Sequence, residues 1–118
     1  MGPAEIALGI ERLHSGEGTA RLAMTITETM INVHGIGHGG YVFLLADSAF
    51  AVACNSPGSV TVAAQAEIDF IAAVRLGDEL VAEAVERVTF GRSGIYDITV
   101  TRGDEVVAEF RGRSRTIR

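Results

Sequence analysis

The chain has 118 residues, a net charge of −5 and 47% hydrophobic residues, which suits one domain, taken as residues 1–118, with a core of its own. The acidic balance argues against general nucleic-acid binding, and the single cysteine, Cys54, excludes an internal disulfide. No stretch reads as a secretory leader or a membrane span, so the expected compartment is the cytoplasm.

Met1 to Gly9 reads as a short helical turn that starts near Pro3 and closes at Gly9. Ile10–His14 and Thr19–Thr27 read as two strands about the turn Ser15-Gly16-Glu17-Gly18. In the second, Ala20, Leu22, Met24 and Ile26 alternate with Arg21, Ala23, Thr25 and Thr27. A glycine-rich turn with two histidines follows, N-V-H-G-I-G-H-G-G from Asn32 to Gly40. It leads into Tyr41–Cys54, a run that is apolar on every face except at Asp47 and Ser48. Its length, its lack of Gly and Pro, and its Leu, Ala and Phe predict a helix, and a helix apolar all round is a buried one. The run is too short for a membrane, which needs about 20 apolar residues.

Asn55-Ser56-Pro57-Gly58 reads as a turn. Val60–Ala72 then alternates as a strand, with Val60, Val62, Ala64, Ala66, Ile68 and Phe70 on one face. Leu76-Gly77-Asp78 turns the chain; Leu80–Phe90, Ile95–Thr101 and Val106–Ile117 are further strands, joined by Gly91–Gly94 and by the hairpin signal Gly103-Asp104. One long helix and about six strands, four of them consecutive, predict an α+β architecture: an antiparallel, meandering sheet of five to six strands wrapped around one long buried helix.

Asp47 sets the chemical problem. An ionised carboxylate in apolar surroundings costs several kcal/mol, comparable to the stability of the whole domain, unless it is paired or faces a solvent-filled site. The first turn of the same helix offers the opposite charge character. Gly37, Gly39 and Gly40 leave backbone N–H groups at a positive helix end, suited to an anion or a developing oxyanion. Gly39 and Asp47 are eight positions apart, about 12 Å along the axis, too far for both to act on one carbonyl within one chain. Two antiparallel copies of the helix would bring Asp47 of one chain opposite Gly39 of the other, which predicts a symmetric dimer with two shared sites.

Asn32, His34, Gly35, His38, Gly39, Gly40 and Asp47 form the pattern N-x-H-G-x-x-H-G-G with Asp nine residues after the second His, followed by L-A-D-S-A-F-A. This pattern resembles the hotdog-fold thioesterases of the phenylacetyl-CoA thioesterase type. The resemblance covers nearly the whole chain in element order and is concentrated in residues 32–51. It implies a hotdog fold, a dimer with a continuous sheet, often a tetramer, and hydrolysis of an acyl-CoA thioester without metal or cofactor. The Gly39 N–H would polarise the thioester carbonyl, Asp47 of the facing chain would act as general base or nucleophile, Asn32 would orient the water or the carbonyl, and His38 would sit beside the thioester. Gly40, Thr61 and Ala63 would line the substrate, and Arg92, Arg111 and Arg113 are candidate contacts for the coenzyme A phosphates. The chain departs from the family at Ala63, where related enzymes often carry Ser or Thr; Thr61 is two residues away on the same face.

Other readings of the same residues compete with these. Asn32 suits a turn that bonds its own backbone, and His34 suits a structural prop for the loop. His34 and His38 have metal-pair spacing, but the glycines between them disfavour a helix and no third ligand is evident. Gly35-x-Gly37-x-x-Gly40 matches a dinucleotide fingerprint formally, yet no βαβ unit follows. Ser48 and Cys54 lack the context of a nucleophile. Arg111, Arg113 and Arg115 share one strand face, which suits a solvated outer surface. Two alternatives to a thioesterase remain: a hydratase or dehydratase of acyl thioesters, and a non-catalytic module that binds acyl-CoA.

Overall fold

The computed structural model describes residues 1–55 and 60–117; the expected turn at 56–58 lies outside them. Helix α1 spans Pro3–Ala7, and the chain leaves it through Gly9 at φ 71°. Strands β1 (Glu11–Gly16) and β2 (Thr19–Thr25) form a hairpin. The turn is shorter than expected: β1 pairs through Gly16, so only Glu17 and Gly18 turn, with Gly18 at φ 67°. A single 3₁₀ turn, Glu28–Met30, precedes the long helix α2, Gly39–Asn55. Strands β3 (Thr61–Phe70), β4 (Glu79–Phe90), β5 (Ser93–Arg102) and β6 (Glu105–Thr116) complete the order.

The six strands form one antiparallel sheet in the order β1-β2-β4-β5-β6-β3. Only β4-β5-β6 meanders. β3 does not pair with β4, its neighbour in sequence, but crosses to the far edge beside β6. The helix lies across the concave side and touches all six strands. Its sheet-facing side carries Leu45, Ala46, Ala49, Phe50 and Ala53, each essentially inaccessible. They pack on Leu22, Leu80, Ala82, Ile98, Val100 and Phe110 from the strands. Burying each of the larger side chains contributes roughly 1.5–3 kcal/mol, which is what holds an apolar helix in the sheet. The fit is close. Phe50 stacks at a tilt on Tyr96 and Phe110, and its ring fills the space a Cβ at Gly112 would take, 2.7 Å from the nearest ring atom. Asn55 seals the end of α2: its amide donates to Ala51 and to the Thr61 carbonyl, and its Oδ1 accepts the Thr61 N–H at 2.9 Å.

Two expectations are corrected. The helix is not covered all round within one chain. Gly40 and Ala51 are exposed and Leu44 and Asp47 half-buried, and their spacing of four, three and four residues places them on one open stripe. An apolar composition reports total burial without saying which chain supplies it. The alternation in β3 also reverses midway. The register to β6 slips between Ala63 and Gln65, so Thr61 and Ala63 share the inner face with Ala66, Ile68 and Phe70, while Val62 points outward with Gln65 and Glu67. One extra residue in a bulge shifts a period of two by one step.

Candidate active site

The loop from Ile31 to His38 is shaped by its own backbone bonds. Asn32 Oδ1 accepts the N–H groups of His34 at 2.9 Å and Ile36 at 3.2 Å, and the Asn32 N–H donates to the Ile36 carbonyl. Gly35 makes the turn possible at φ 75°. Gly37 donates to the Val74 carbonyl at 2.7 Å and lies so close to Val74 that a Cβ would sit 2.4 Å from its methyl carbon. His38 donates its N–H to Met30. The loop is therefore clamped to the segment after β3, and the start of α2 is fixed with it.

At that start the two glycines differ. The Gly40 N–H donates to His38 Nδ1 at 3.2 Å, so the ring accepts there and carries its proton on Nε2. The imidazole thereby caps the helix. The Gly39 N–H has no acceptor among the described residues. It is the donor a developing oxyanion would find, whereas Gly40, expected as a second contact, is already engaged by His38. Asn32 keeps both donors of its amide nitrogen, but its carbonyl oxygen is committed to the loop. His34 props the loop through its backbone N–H rather than its ring.

Asp47 sits two helical turns further on, half-buried on the open stripe. The five ion pairs of the described residues all lie elsewhere. Burial holds its carboxyl above the ordinary carboxylate range, and the charge of Glu5 on α1 adds to that. The same Glu5 accepts a hydrogen bond from the buried Ser48 hydroxyl at 3.1 Å; sequence spacing held no signal for this contact, 43 positions apart. Ser48 and the buried Cys54 are packed side chains, and burial pushes the Cys54 thiol up to about 11. Neither has the character of a nucleophile.

The remaining candidates separate. Thr61 is buried, and its hydroxyl pairs with that of Thr116 at 3.2 Å; Ala63 is exposed on the edge strand. Arg111 is held by Asp97 through two bonds, 2.6 and 2.9 Å long, which draw the Asp97 carboxyl below its usual range. It is a cross-strand ion-pair partner. Among the described residues Arg92 and Arg113 make no ion pair. Arg92 accepts the Thr116 N–H on its carbonyl, near the end of α2 that Asn55 ties to Thr61. No helix is long and apolar enough to cross a membrane, and no group of three or more His, Cys, Asp or Glu could hold a metal, both among the described residues.

Of the hollows that border the helix, two are the larger ones. One of about 540 Å³ lies between α1, the β1–β2 hairpin and the far half of α2, with Glu5, Arg12, Ser48, Val52 and Asn55 on its wall; neither Gly39 nor Asp47 lines it. The other, of about 320 Å³, opens at Gly39 and is walled by Ile36, Val42, Phe70, Ile71 and Val74. Phe70, which sequence reasoning did not single out, covers Gly39: a Cβ there would lie 3.0 Å from the tip of its ring.

A six-stranded antiparallel sheet around one long helix, with an unengaged N–H at the helix start and an unpaired carboxylate on its open face, is the hotdog architecture. Residues 34–109 match the family model of the thioesterase superfamily, and the chain belongs to that family. It is 46% identical over 112 residues to the acyl-coenzyme A thioesterase PaaI of Escherichia coli K12, spanning 94% of this chain and 80% of that one. The solved E. coli PaaI protein from the phenylacetic acid degradation operon superposes with a TM-score of 0.97 at 42% identity, covering 99% of this chain and 86% of that one. The TT0310 protein of Thermus thermophilus gives 0.96 at 34% identity, with 99% of both chains covered.

Proposed function

We propose that the protein is an acyl-CoA thioesterase that hydrolyses an aryl-acyl-CoA, with phenylacetyl-CoA as the first candidate, at two sites shared between two copies of the chain. The observation that carries it is the 46% identity, along nearly the whole chain, to an acyl-coenzyme A thioesterase. The free Gly39 N–H and the unpaired Asp47 on an open helix stripe support it.

The open stripe suits a second copy of α2. Gly40 and Ala51 have little side chain to keep two helices apart, and antiparallel packing sets Asp47 of one copy against Gly39 of the other. The thioester carbonyl then accepts from the Gly39 N–H, and the oxyanion that forms is stabilised there. Asp47 of the second copy takes a proton from water as its oxygen bonds the acyl carbon, or attacks that carbon itself. On the first route the C–S bond breaks as the proton held by Asp47 passes to the sulfur, and coenzyme A leaves as the thiol beside the free acid. On the second, coenzyme A leaves as the thiolate and takes a proton from solvent, and water then hydrolyses the acyl-Asp47 anhydride to the free acid. A carboxyl raised by burial is the better base. By resemblance to the family, Asn32, through its free amide nitrogen, orients the water or the carbonyl, and the His38 ring lies beside the thioester. Arg92 of the second copy, and Arg113 on the exposed face of β6, are the candidate contacts for the coenzyme A phosphates. A tetramer built of two such dimers, acting as one-domain subunits in the cytoplasm, completes the proposal.

Thiol release from a panel of acyl-CoAs, with wild type and Asp47→Asn side by side, tests it. Loss of most turnover in a folded, dimeric Asp47→Asn supports the site. Equal turnover in both makes Asp47 structural. Tight acyl-CoA binding with no thiol from either protein makes this a binding module.

A further inference from the structure

We infer that Phe70 is the residue that selects the acyl group, by packing against it in the cleft beside Gly39. This rests on the thioesterase reading above.

The geometry starts at the Gly39 N–H. A carbonyl oxygen accepting from it lies about 2.9 Å from the nitrogen. The carbonyl carbon and its two substituents are then within a few ångströms of the Gly39 backbone. That surface is already occupied on one side: three carbons of the Phe70 ring lie 3.0, 3.2 and 3.5 Å from the position of a Cβ on Gly39. Gly39 and Phe70 line the same cleft, so whichever substituent of a carbonyl bound there enters it meets the ring.

The cleft decides which one. Its side chains are Ile36, Val42, Phe70, Ile71 and Val74, with alanines between. The main chain of its walls has few donors left. Gly37 N–H donates to Val74, and Ile71 and Ala72 N–H both donate to Val107. The pantetheine arm carries two amides that need partners, and burying them unpaired is costly. A hydrocarbon or aryl acyl group needs none. At about 320 Å³ the cleft is at the small end of ligand pockets, a size for a compact acyl group. Phe70 stands at the end of edge strand β3, is 57% exposed within one chain and is not part of the core cluster. Those features suit a wall that sets selectivity rather than one that holds the fold.

Kinetics of wild type, Phe70→Leu and Phe70→Ala on acetyl-, butyryl-, hexanoyl- and phenylacetyl-CoA test this, with circular dichroism as the check on folding. The ratio of kcat/KM for phenylacetyl-CoA to that for acetyl-CoA is expected to move by about tenfold or more in Phe70→Ala, with Phe70→Leu between, as one or two methylenes do in an apolar pocket. A uniform loss on every acyl group, with the ratio held within about twofold, overturns the assignment and leaves the thioesterase reading standing. Absence of thiol release by wild type on all four overturns both. Phe70→Leu keeps bulk and apolarity, so it reports on selectivity even if the alanine variant fails to fold.

Discussion

Gly39→Pro removes the proposed oxyanion donor while leaving the backbone hydrogen bonds of the helix start in place. Proline has no N–H, and it is favoured at the first helical position, where the N–H has no intrahelical partner anyway. Gly39 holds that position and is not among the glycines with positive φ. Its N–H serves no other group among the described residues, so its loss breaks no structural bond. The ring must displace Phe70 slightly, 3.0 Å away, and that side chain is exposed enough to move. Removing one such donor costs ~10²–10³-fold in kcat, about 3–4 kcal/mol of barrier. Asp47→Asn is expected to cost ~10²–10⁴-fold by loss of the base. The decisive assay mixes the two crippled proteins. In a mixed dimer one site combines wild-type Gly39 with wild-type Asp47, and the other carries both changes. With free exchange about half the dimers are mixed and each has one intact site of two, so activity should recover to about one quarter of wild type. Exchange is followed by mass on differently tagged subunits. Full exchange with activity no higher than the average of the parents would refute the shared site.

Asp47→Asn should melt higher than wild type at pH 7. Burial raises the folded-state pKa above the unfolded value, so the ionised carboxylate costs stability that is absent below the unfolded pKa and grows as pH rises through the folded one. The gap should close towards pH 4, and a lower melting temperature at pH 7 would mean that a group of the second copy stabilises the charge. Gly112→Ala should cost about 1–3 kcal/mol in urea unfolding, because the new methyl lies 2.7–2.9 Å from three atoms of the fully buried Phe50 ring; an unchanged midpoint would mean the helix shifts at no cost. Arg113→Ala should raise KM for CoA thioesters by about two- to fivefold, in keeping with an exposed ion contact. It should leave KM unchanged for N-acetylcysteamine thioesters, which lack the phosphates, and equal effects on both would exclude a phosphate contact.

Much of this molecule could be read from residue order. The period-two pattern of β2, the glycine turns and the apolar run of α2 are local properties, because a strand or helix shows its buried face at fixed spacing. The conflict at Asp47 was equally local: a charge in an apolar run needs an explanation whatever the fold. The N-x-H-G-x-x-H-G-G motif carried the resemblance for the same reason. What tertiary structure decided was everything that depends on which backbone groups are already bonded and which segments meet. It paired β3 with β6 and slipped its register at one bulge. It used the Gly40 N–H for the His38 ring and left that of Gly39 open, a difference invisible between two adjacent glycines. It placed Glu5 beside Asp47, tied Arg111 to Asp97 and laid Phe70 over Gly39. Each of these joins residues far apart in the chain or distinguishes neighbours of the same type. Spacing along a sequence records neither; only the packing of α2 into the sheet fixes them.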